Sequence, residues 1–297
     1  MRHQTSDFRH QIEPDVGRAL RRIGIEAEPP SAEALARVHR AWVERVPYES
    51  VWIHMSENWS IDPTASLDRI ANQGRGGYCY QMNGALSLVL ASLGYQVTRH
   101  VGGVHGPEGP DVKWLTNHLV LVVGDLPTNA NPGGIWYVDA GLGDGLWDPL
   151  PMRAGTYAQG PMTFALGETD DGVGDWHFTH DPTGSFSGMS FRTGQVEMDA
   201  FAERHQHLST SPESSFAGVV TAQLRFEHGT DILRGRVLTR RRGHESTSTT
   251  LNKPGEWFDV LADVFAIRPD APPVARDALW TRVSAAHERW LLRQSDV

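Results

Sequence analysis

The hydrophobic pattern of this chain changes its period near Gly94, from helical spacing to strand alternation. Upstream, apolar residues recur every three or four positions, as they do along one face of a helix. Ser31 is placed to cap such a helix and Pro47 to end it. Its apolar positions are Leu35, Val38, Trp42 and Val46. This change of period predicts helices in the first 94 residues and a sheet after them.

A second helical run begins around Cys79, directly after Gly76 and Gly77. Gly94 is well placed to end it, because glycine readily adopts the left-handed conformation that stops a helix. The apolar face of this run comprises Met82, Leu86, Val89, Leu90 and Leu93. The pattern therefore places Cys79 at or near a helix N-terminus.

Short strand patterns dominate the middle of the chain. Residues 95–101, 118–123 and 135–139 form runs of strand character separated by Gly, Pro and Asn. Gly102 and Gly103 are interpreted as a turn that ends the first strand. Similar short runs continue to about Arg192 and predict a small barrel or curled sheet.

The last third of the chain mixes both periods. The Ser- and Pro-rich residues 209–215 indicate a linker or crossing loop. Strands are predicted near 222–226 and 236–240. Two helices are predicted after them, one around 257–264 and a longer one from about 273 to 293.

Composition excludes several classes of function. The 297 residues carry a net charge of −9, which gives no general attraction for nucleic acid or an anionic membrane. No apolar run approaches the roughly 18 residues that span a bilayer. The N-terminus has no apolar signal region, and a lone cysteine excludes an intramolecular disulfide. We therefore expect a cytoplasmic protein without nucleic-acid or membrane partners.

Cys79, His118 and Asp139 are candidates for nucleophilic chemistry. A thiol attacks as its thiolate, which a helix N-terminus and a nearby imidazolium both stabilise. A carboxylate behind the imidazole fixes its orientation and tautomer. Each residue also has an ordinary interpretation, as a buried core thiol, one of fourteen histidines and a turn-forming aspartate. Spacing alone leaves both interpretations open.

Three segments resemble motifs of the arylamine N-acetyltransferase family, which we take to include the related amide synthases of polyketide antibiotic pathways. Residues 75–83, with the sequence RGGYCYQMN, resemble its nucleophile motif. Residues 117–121 resemble its histidine strand, and residues 137–143 its aspartate strand and glycine loop. Residues 46–50 and 209–216 add flanking similarity. The resemblance spans about residues 19–226, with the motifs in the family's order.

The resemblance implies an α+β fold with a cysteine-protease-like triad. An N-terminal helical bundle (residues 1–94) would carry Cys79, a central β-barrel (95–205) would carry His118 and Asp139, and an α/β lid (206–297) would follow. It implies a ping-pong reaction, in which acetyl-CoA or another acyl thioester acylates Cys79 and a small-molecule amine takes the acyl group. No metal is implied. An acyl carrier protein is the alternative donor partner.

The resemblance also implies roles for residues outside the triad. It places Gly103, Val104, Gly141, Leu142 and Gly143 beside the acyl-donor and acceptor sites. Arg75, Glu49 and Gln81 are implied to support the nucleophile.

Two positions depart from the family pattern. Gln81 stands where the family usually has Glu, which removes one partner for Arg75 and predicts a pair between Arg75 and Glu49 instead. Leu142 stands where many members have an aromatic residue that lines the acceptor pocket. A wider pocket would suit the longer acyl chains that amide synthases transfer.

Two other functions remain open on the sequence. A transglutaminase-like or papain-like amidase shares the order Cys, His, Asp, and an inactive relative would act as a binding module. Metal binding by His177 with His180, or by His205 with His207, is not expected, and these histidines are predicted to be exposed. The loop at residues 141–145 lacks the βαβ context of a dinucleotide site. The basic cluster around residues 234–242 predicts a solvated strand or turn, with the phosphates of coenzyme A as the alternative ligand.

Overall fold

The computed structural model describes residues 13–170 and 172–295. Helices dominate the N-terminal third, as predicted. Ser31 caps the second helix, its hydroxyl oxygen accepting a hydrogen bond from the backbone N–H of Ala34 at 3.0 Å. The helices are α1 (Pro14–Arg22), α2 (Ala32–Arg45), α3 (Val51–His54), α4 (Pro63–Gln73) and α5 (Cys79–Ser92), and the short strand β1 (Tyr48–Glu49) lies between α2 and α3.

Helix α5 is the centre of this helical layer. Eleven of its fourteen residues are buried, because α1, α2 and α4 pack on one side and the main sheet on the other. Its last turn leads to Gly94, which has a φ of 89° and ends the helix as predicted. Cys79 is its first residue. The nucleophile candidate is therefore held by the most enclosed helix of the fold.

The main sheet has eight antiparallel strands and is barrel-like and nearly closed. Its spatial order is β5, β4, β3, β2, β9, β8, β7, β6. The strands are β2 (Gln96–His105), β3 (His118–Gly124), β4 (Trp136–Val138), β5 (Leu150–Pro151), β6 (Gly155–Gln159), β7 (Met162–Glu168), β8 (Trp176–Thr179) and β9 (Gly188–Gln195). Aromatic side chains fill its interior, among them Tyr137, Phe164, Phe178 and Phe191. This confirms the barrel-like sheet expected after residue 94.

The interpretation of Gly102 and Gly103 as a turn is wrong. Both lie inside β2, which continues to His105 and pairs with β3 on one side and β9 on the other. A Cβ at Gly102 would lie 2.9 Å from the Met189 sulfur, and one at Gly103 would lie 3.1 Å from the backbone of Trp114. The two glycines therefore permit close packing across a strand.

A second, five-stranded sheet closes the chain. Its spatial order is β1, β10, β11, β12, β13, so β1 from the helical third pairs with β10 from the C-terminal third. The strands are β10 (Thr221–Phe226), β11 (Gly229–Arg234), β12 (Val237–Arg242) and β13 (Glu245–Thr250). The sequence predicted β10 and β12 but not β11 or β13.

Four helices accompany this sheet: α6 (Ala202–Thr210), α7 (Ser215–Gly218), α8 (Pro254–Asp263) and α9 (Pro273–Ser295). The linker predicted at residues 209–215 is shorter in the structure and comprises only residues 211–214, because α6 ends at Thr210 and α7 begins at Ser215. The two final helices were predicted, and both pack on the apolar face of the sheet through residues such as Trp257 and Leu279. In the described part of the chain, no helix has the length and apolar character needed to cross a membrane.

Candidate active site

Glycines bring two loops against the start of α5. A Cβ at Gly76 would lie 1.8 Å from the carbonyl oxygen of Pro47, and one at Gly141 would lie 2.7 Å from the Cα of Cys79. Real Cβ atoms do not approach backbone this closely, so both positions require glycine. Cys79 is therefore enclosed by the segment before β1 and the loop after β4, and only 3% of its surface is exposed.

His118 and Asp139 meet because their strands are neighbours. His118 is the first residue of β3, and Asp139 directly follows β4, which pairs with β3. The Nε2 atom of His118 lies 2.8 Å from Oδ2 of Asp139. This leaves Nδ1 as the ring nitrogen available to the sulfur of Cys79, which lines the same cavity as His118.

Asp139 is held by three further donors. The hydroxyl of Tyr137 donates to Oδ2 at 2.8 Å, while the Asn83 amide and the Gly141 backbone N–H donate to Oδ1 at 2.8 and 2.9 Å. Asn83 also accepts a hydrogen bond from the Ala140 backbone N–H at 2.9 Å. The carboxylate therefore has a fixed orientation, as a group that positions an imidazole requires.

Sequence reasoning missed Asn83 and Tyr137 as functional residues. Both lie inside the segments that resemble the family motifs, and both are fully buried. Asn83 lies one helical turn after Cys79, which puts it on the same face of α5. This spacing of four residues from Cys79 is the sequence signal that could have identified Asn83 as a residue that contacts the site.

Burial and charge act in opposite directions on the pKa of His118. Burial lowers the pKa of this imidazole, but the carboxylate of Asp139 and the sulfur of Cys79 together raise it to about 10. An opposite charge in direct contact favours the protonated form. His118 is therefore an imidazolium at neutral pH, the state that stabilises a neighbouring thiolate.

Arg75 and Glu49 form the predicted ion pair behind the nucleophile. Nε of Arg75 lies 2.9 Å from Oε1 of Glu49, and Oε2 of Glu49 accepts the Val51 backbone N–H at 2.8 Å. Gln81 is fully buried and donates to the Ser60 carbonyl at 3.2 Å. Arg75, Glu49 and Gln81 are all buried and lie away from the cavity wall. Their hydrogen bonds tie the segment before Cys79 to the start of α3 and to the loop at Ser60.

A cavity of about 520 Å³ opens onto Cys79 and His118. Of the residues predicted to contact substrates, Val104, Gly141 and Leu142 line it. Gly103 and Gly143 are not among the described residues that line this cavity. Gly103 packs against Trp114, and Gly143 has a φ of 66° and packs against the side chain of Gln223.

A second cavity, of about 490 Å³, adjoins the first. The two share Ser185, Ser215, Val219 and Arg234 in their walls. The second is bounded by β11, β12 and α9, and it also includes Arg241. The predicted basic cluster thus spans the end of β11 and all of β12, and two of its arginines, Arg234 and Arg241, line a cavity.

The prediction that the paired histidines are exposed is wrong for His180 and His205. Both are buried, because His180 packs edge-on against Phe186 and His205 binds the Tyr78 hydroxyl at 2.5 Å. Aromatic neighbours distant in sequence decide this burial. Within residues 13–170 and 172–295, no three His, Cys, Asp or Glu side chains are grouped as a metal site requires.

Comparison with known proteins identifies the family. The sequence model of the N-acetyltransferase family matches residues 31–273. The chain belongs to the N-acetyltransferase family. Its members are acyltransferases, so the resemblance of the sequence motifs is confirmed. This membership favours acyl transfer over the amidase alternative, which shares only the order of the three residues.

Curated relatives agree with this membership. The pineal gland arylamine N-acetyltransferase of Gallus gallus is 28% identical, over 73% of this chain and 79% of the relative. Arylamine N-acetyltransferase 1 of Homo sapiens is also 28% identical, over 80% of this chain and 87% of the relative.

Solved structures of the family share the fold. The arylamine N-acetyltransferase of Mycobacterium marinum superposes with a TM-score of 0.78 at 25% identity, over 91% of this chain and 99% of that one. The structure of the same enzyme in complex with CoA gives a TM-score of 0.78 at 26% identity. The α+β architecture of this family member is thereby confirmed.

Proposed function

We propose that this N-acetyltransferase moves an acetyl group from acetyl-CoA to an arylamine through a covalent acetyl group on Cys79. The observation that carries the proposal is the buried contact between His118 and Asp139 in the cavity wall that includes Cys79. Three groups in this arrangement activate a thiol nucleophile. The family's relatives are named for the same transfer.

In the first half of the reaction, the thiolate of Cys79 attacks the thioester carbonyl carbon of the donor. The tetrahedral adduct then collapses and its bond to the CoA sulfur breaks. The imidazolium of His118 gives its proton to the departing CoA thiolate. An acetyl thioester remains on Cys79, and His118 is neutral.

In the second half, the amine nitrogen attacks the acetyl carbon on Cys79. His118 accepts the proton that the amine nitrogen loses, and the bond to the Cys79 sulfur breaks. The thiolate and imidazolium are restored. Asp139 stabilises each imidazolium state by its charge and its hydrogen bond.

Acetyl-CoA as donor is supported by the Mycobacterium marinum structure in complex with CoA. Arg234 lies in the wall shared by the two cavities, and Arg241 lies in the second. Guanidinium groups bind phosphate well, so these two residues are our candidates for the CoA phosphates. A carrier protein that presents its acyl group on a phosphopantetheine arm is the alternative donor.

The domain division predicted from the sequence is part of the same proposal. Helices before residue 94 supply the nucleophile, and residues 95–205 supply the base and its carboxylate. The described part of the lid predicted at residues 206–297 covers the cavity. We propose a cytosolic place of action, which the lone cysteine and the thiolate chemistry support.

Mass spectrometry of the intact protein tests the proposal. After incubation with acetyl-CoA, we expect one added acetyl group, mapped to the peptide that contains Cys79 and removed when an arylamine is added. Cys79→Ser is the matched control and is expected to gain no acetyl group. An acetyl group elsewhere, or one that persists with amine present, contradicts the proposed function.

A further inference from the structure

One oxygen of the Asp139 carboxylate serves two hydrogen-bond donors. Oδ2 lies 2.8 Å from Nε2 of His118 and also 2.8 Å from the hydroxyl oxygen of Tyr137. The other oxygen, Oδ1, accepts hydrogen bonds from Asn83 and Gly141. A carboxylate offers about four acceptor positions, so these four donors fill it. His118 and Tyr137 therefore compete for the electron density of a single oxygen atom.

The hydroxyl of Tyr137 has a fixed position because its ring is enclosed. Tyr137 lies in β4 and Asp139 follows the strand two residues later, so both side chains lie on the same side of the sheet. Phe191 stacks on the Tyr137 ring with 5.3 Å between centroids, and Phe178 packs edge-on at 5.8 Å. These neighbours show that phenylalanine suits this interior. The hydroxyl is therefore not needed to fill the barrel, and its contact with Asp139 requires another explanation.

The Tyr137 hydroxyl keeps its proton and donates it to the carboxylate. Burial raises the pKa of this phenol well above its usual value, and the charge of Asp139 raises it further. A hydrogen bond to a carboxylate stabilises the negative charge. The positive end of the same O–H dipole points at the oxygen that also holds the His118 proton, and it disfavours a positive imidazolium there. Tyr137 therefore weakens the stabilisation that Asp139 gives to protonated His118.

This weakening matters most after Cys79 has been acetylated. Burial lowers the pKa of His118, whereas the charges of Asp139 and Cys79 raise it to about 10. Acetylation removes the charge on the sulfur, so that of these two charges only Asp139 still opposes burial. His118 must then be neutral to accept a proton from the amine. A general base works best when its pKa lies near the operating pH, so the strength of the contact with Asp139 decides how well His118 serves as that base.

The other titratable groups around this pair are neutral or bind elsewhere. His39 of α2 is fully buried, which lowers the pKa of its imidazole, and its Nδ1 lies 2.9 Å from the carbonyl oxygen of Trp147. Asp144, in the loop after β4, accepts hydrogen bonds from the backbone and hydroxyl of Ser185. Three tyrosines near Cys79 keep their protons, because burial raises the pKa of each: Tyr48, Tyr78 and Tyr80.

We propose that Tyr137 is a positioning residue that acts through Asp139: its hydroxyl competes with His118 for Oδ2 and so keeps His118 able to act as the base in the second half of the reaction. The inference rests on the proposed function, because it assigns a residue to the same acetyl transfer. In that step the amine nitrogen bonds to the acetyl carbon, its proton passes to His118, and the bond to the Cys79 sulfur breaks. Removing the Tyr137 hydroxyl should make His118 hold its own proton to higher pH.

The test is Tyr137→Phe, which removes the hydroxyl and keeps the ring. Full-length enzyme is acetylated with acetyl-CoA, freed of excess donor and mixed with aniline between about pH 6 and pH 9.5, where the aniline nitrogen is unprotonated. Rapid quenching and mass spectrometry of the intact protein follow the loss of the acetyl group from Cys79, corrected for its loss without aniline. In wild type, we expect this rate to rise with pH to a plateau as His118 becomes neutral.

In Tyr137→Phe, we expect the midpoint of that rise to move to higher pH by up to about one unit, the usual effect of one hydrogen bond on a buried charged pair. The rate at neutral pH should then fall by up to about tenfold, while the plateau is kept. A hydroxyl that only packs in the core or only orients the carboxylate would change the rate by the same factor at every pH. The shift of the midpoint therefore distinguishes the proposed role from a structural one.

The matched control is Tyr95→Phe. Tyr95 is also buried, and its hydroxyl donates to the carbonyl oxygen of Ser31 at the start of α2, at 3.3 Å. This variant is expected to keep the wild-type midpoint. If Tyr137→Phe fails to fold, Tyr137→Met, which also lacks the hydroxyl, carries the same expected shift.

The outcomes separate this inference from the proposed function. If Cys79 takes no acetyl group from acetyl-CoA, the proposed function fails and the inference fails with it. If Cys79 is acetylated and releases its acetyl group to aniline, the proposed function stands. The inference alone is then overturned by an unchanged midpoint, by a midpoint at lower pH, or by an equal loss of rate at every pH.

Discussion

Replacing Asp139 by Asn removes the charge that faces His118 while keeping the size of the side chain. The carboxylate accepts four hydrogen bonds, from His118, Tyr137, Asn83 and Gly141. The asparagine side chain has only one oxygen. Its NH₂ group would replace the second carboxylate oxygen and would face the donors that now bind that oxygen. Replacing the orienting carboxylate of a catalytic triad by its amide lowers the rate by up to about 10⁴-fold. We therefore expect acetyl transfer to slow by roughly 10²- to 10⁴-fold.

The electrostatic part of this effect is measured by the rate at which iodoacetamide alkylates Cys79. Mass spectrometry follows this rate across a range of pH. In the wild type, the pKa of His118 is raised to about 10, so the imidazolium beside the sulfur persists from pH 6 to pH 9. We expect the alkylation rate to change little over that range. In Asp139→Asn the largest contribution that raises the pKa of His118 is gone, and we expect the alkylation rate to change with pH over the same range.

The matched control is Asp125→Asn, at an exposed turn position with a φ of 61° that Asn also adopts. It is expected to reproduce the wild-type profile. Circular dichroism of each variant establishes that the fold is kept. A pH profile for Asp139→Asn that coincides with the wild type would refute the argument that Asp139 sets the protonation of His118.

Four further outcomes are expected. Cys79→Ser should abolish transfer, because a serine hydroxyl is not ionised at neutral pH; turnover above a few per cent of wild type would contradict covalent catalysis. Wild type should use small unsubstituted arylamines poorly and bulkier acyl thioesters at least as well as acetyl-CoA. Leu142→Phe should raise kcat/KM for aniline-type acceptors by up to about tenfold, because an aromatic contact adds about 0.5–1.5 kcal/mol of binding. Measuring kcat/KM with acetyl and longer acyl donors checks both this expectation and the one for wild type. Because the pKa of His118 is raised on folding, its pair with Asp139 should stabilise the protein fully below pH 6.5 and lose that stabilisation as pH rises through about 10. Urea unfolding between these values should show a decline for wild type that Asp139→Asn lacks.

The order of helix and sheet could be predicted from the sequence, because burial of one face makes apolar residues recur at a spacing characteristic of each type of element. The face of α5 that repeats every three or four residues packs against other helices, and β3 is a run of apolar residues buried on both sides. Strand β13 escaped prediction for the opposite reason. All six of its residues are exposed, so its Ser and Thr residues show no alternation. Its position follows from pairing with β12, which a local pattern does not encode.

The errors at Gly102, Gly103, His180 and His205 have a common physical cause. Each residue type has a usual local role, as a turn former or as an exposed polar group. Here that role is overridden by contacts from distant parts of the chain. Met189 and Trp114 crowd the two glycines, while Phe186 and Tyr78 enclose the two histidines. Sequence reasoning finds such positions only when the tertiary partner is already known.

The same distinction separates the chemistry of this enzyme from its specificity. Cys79, His118 and Asp139 lie in segments with a recognisable motif, because their geometry depends on local glycines and on one strand pairing. Gln223 has no motif, yet the strand pairing with Tyr48 puts it in the cavity wall. Pairing between β1 and β10 brings a C-terminal residue to the nucleophile, and only the backbone of β10 must be kept for that. The motifs therefore identify the reaction, whereas the acceptor must be identified from the cavity wall.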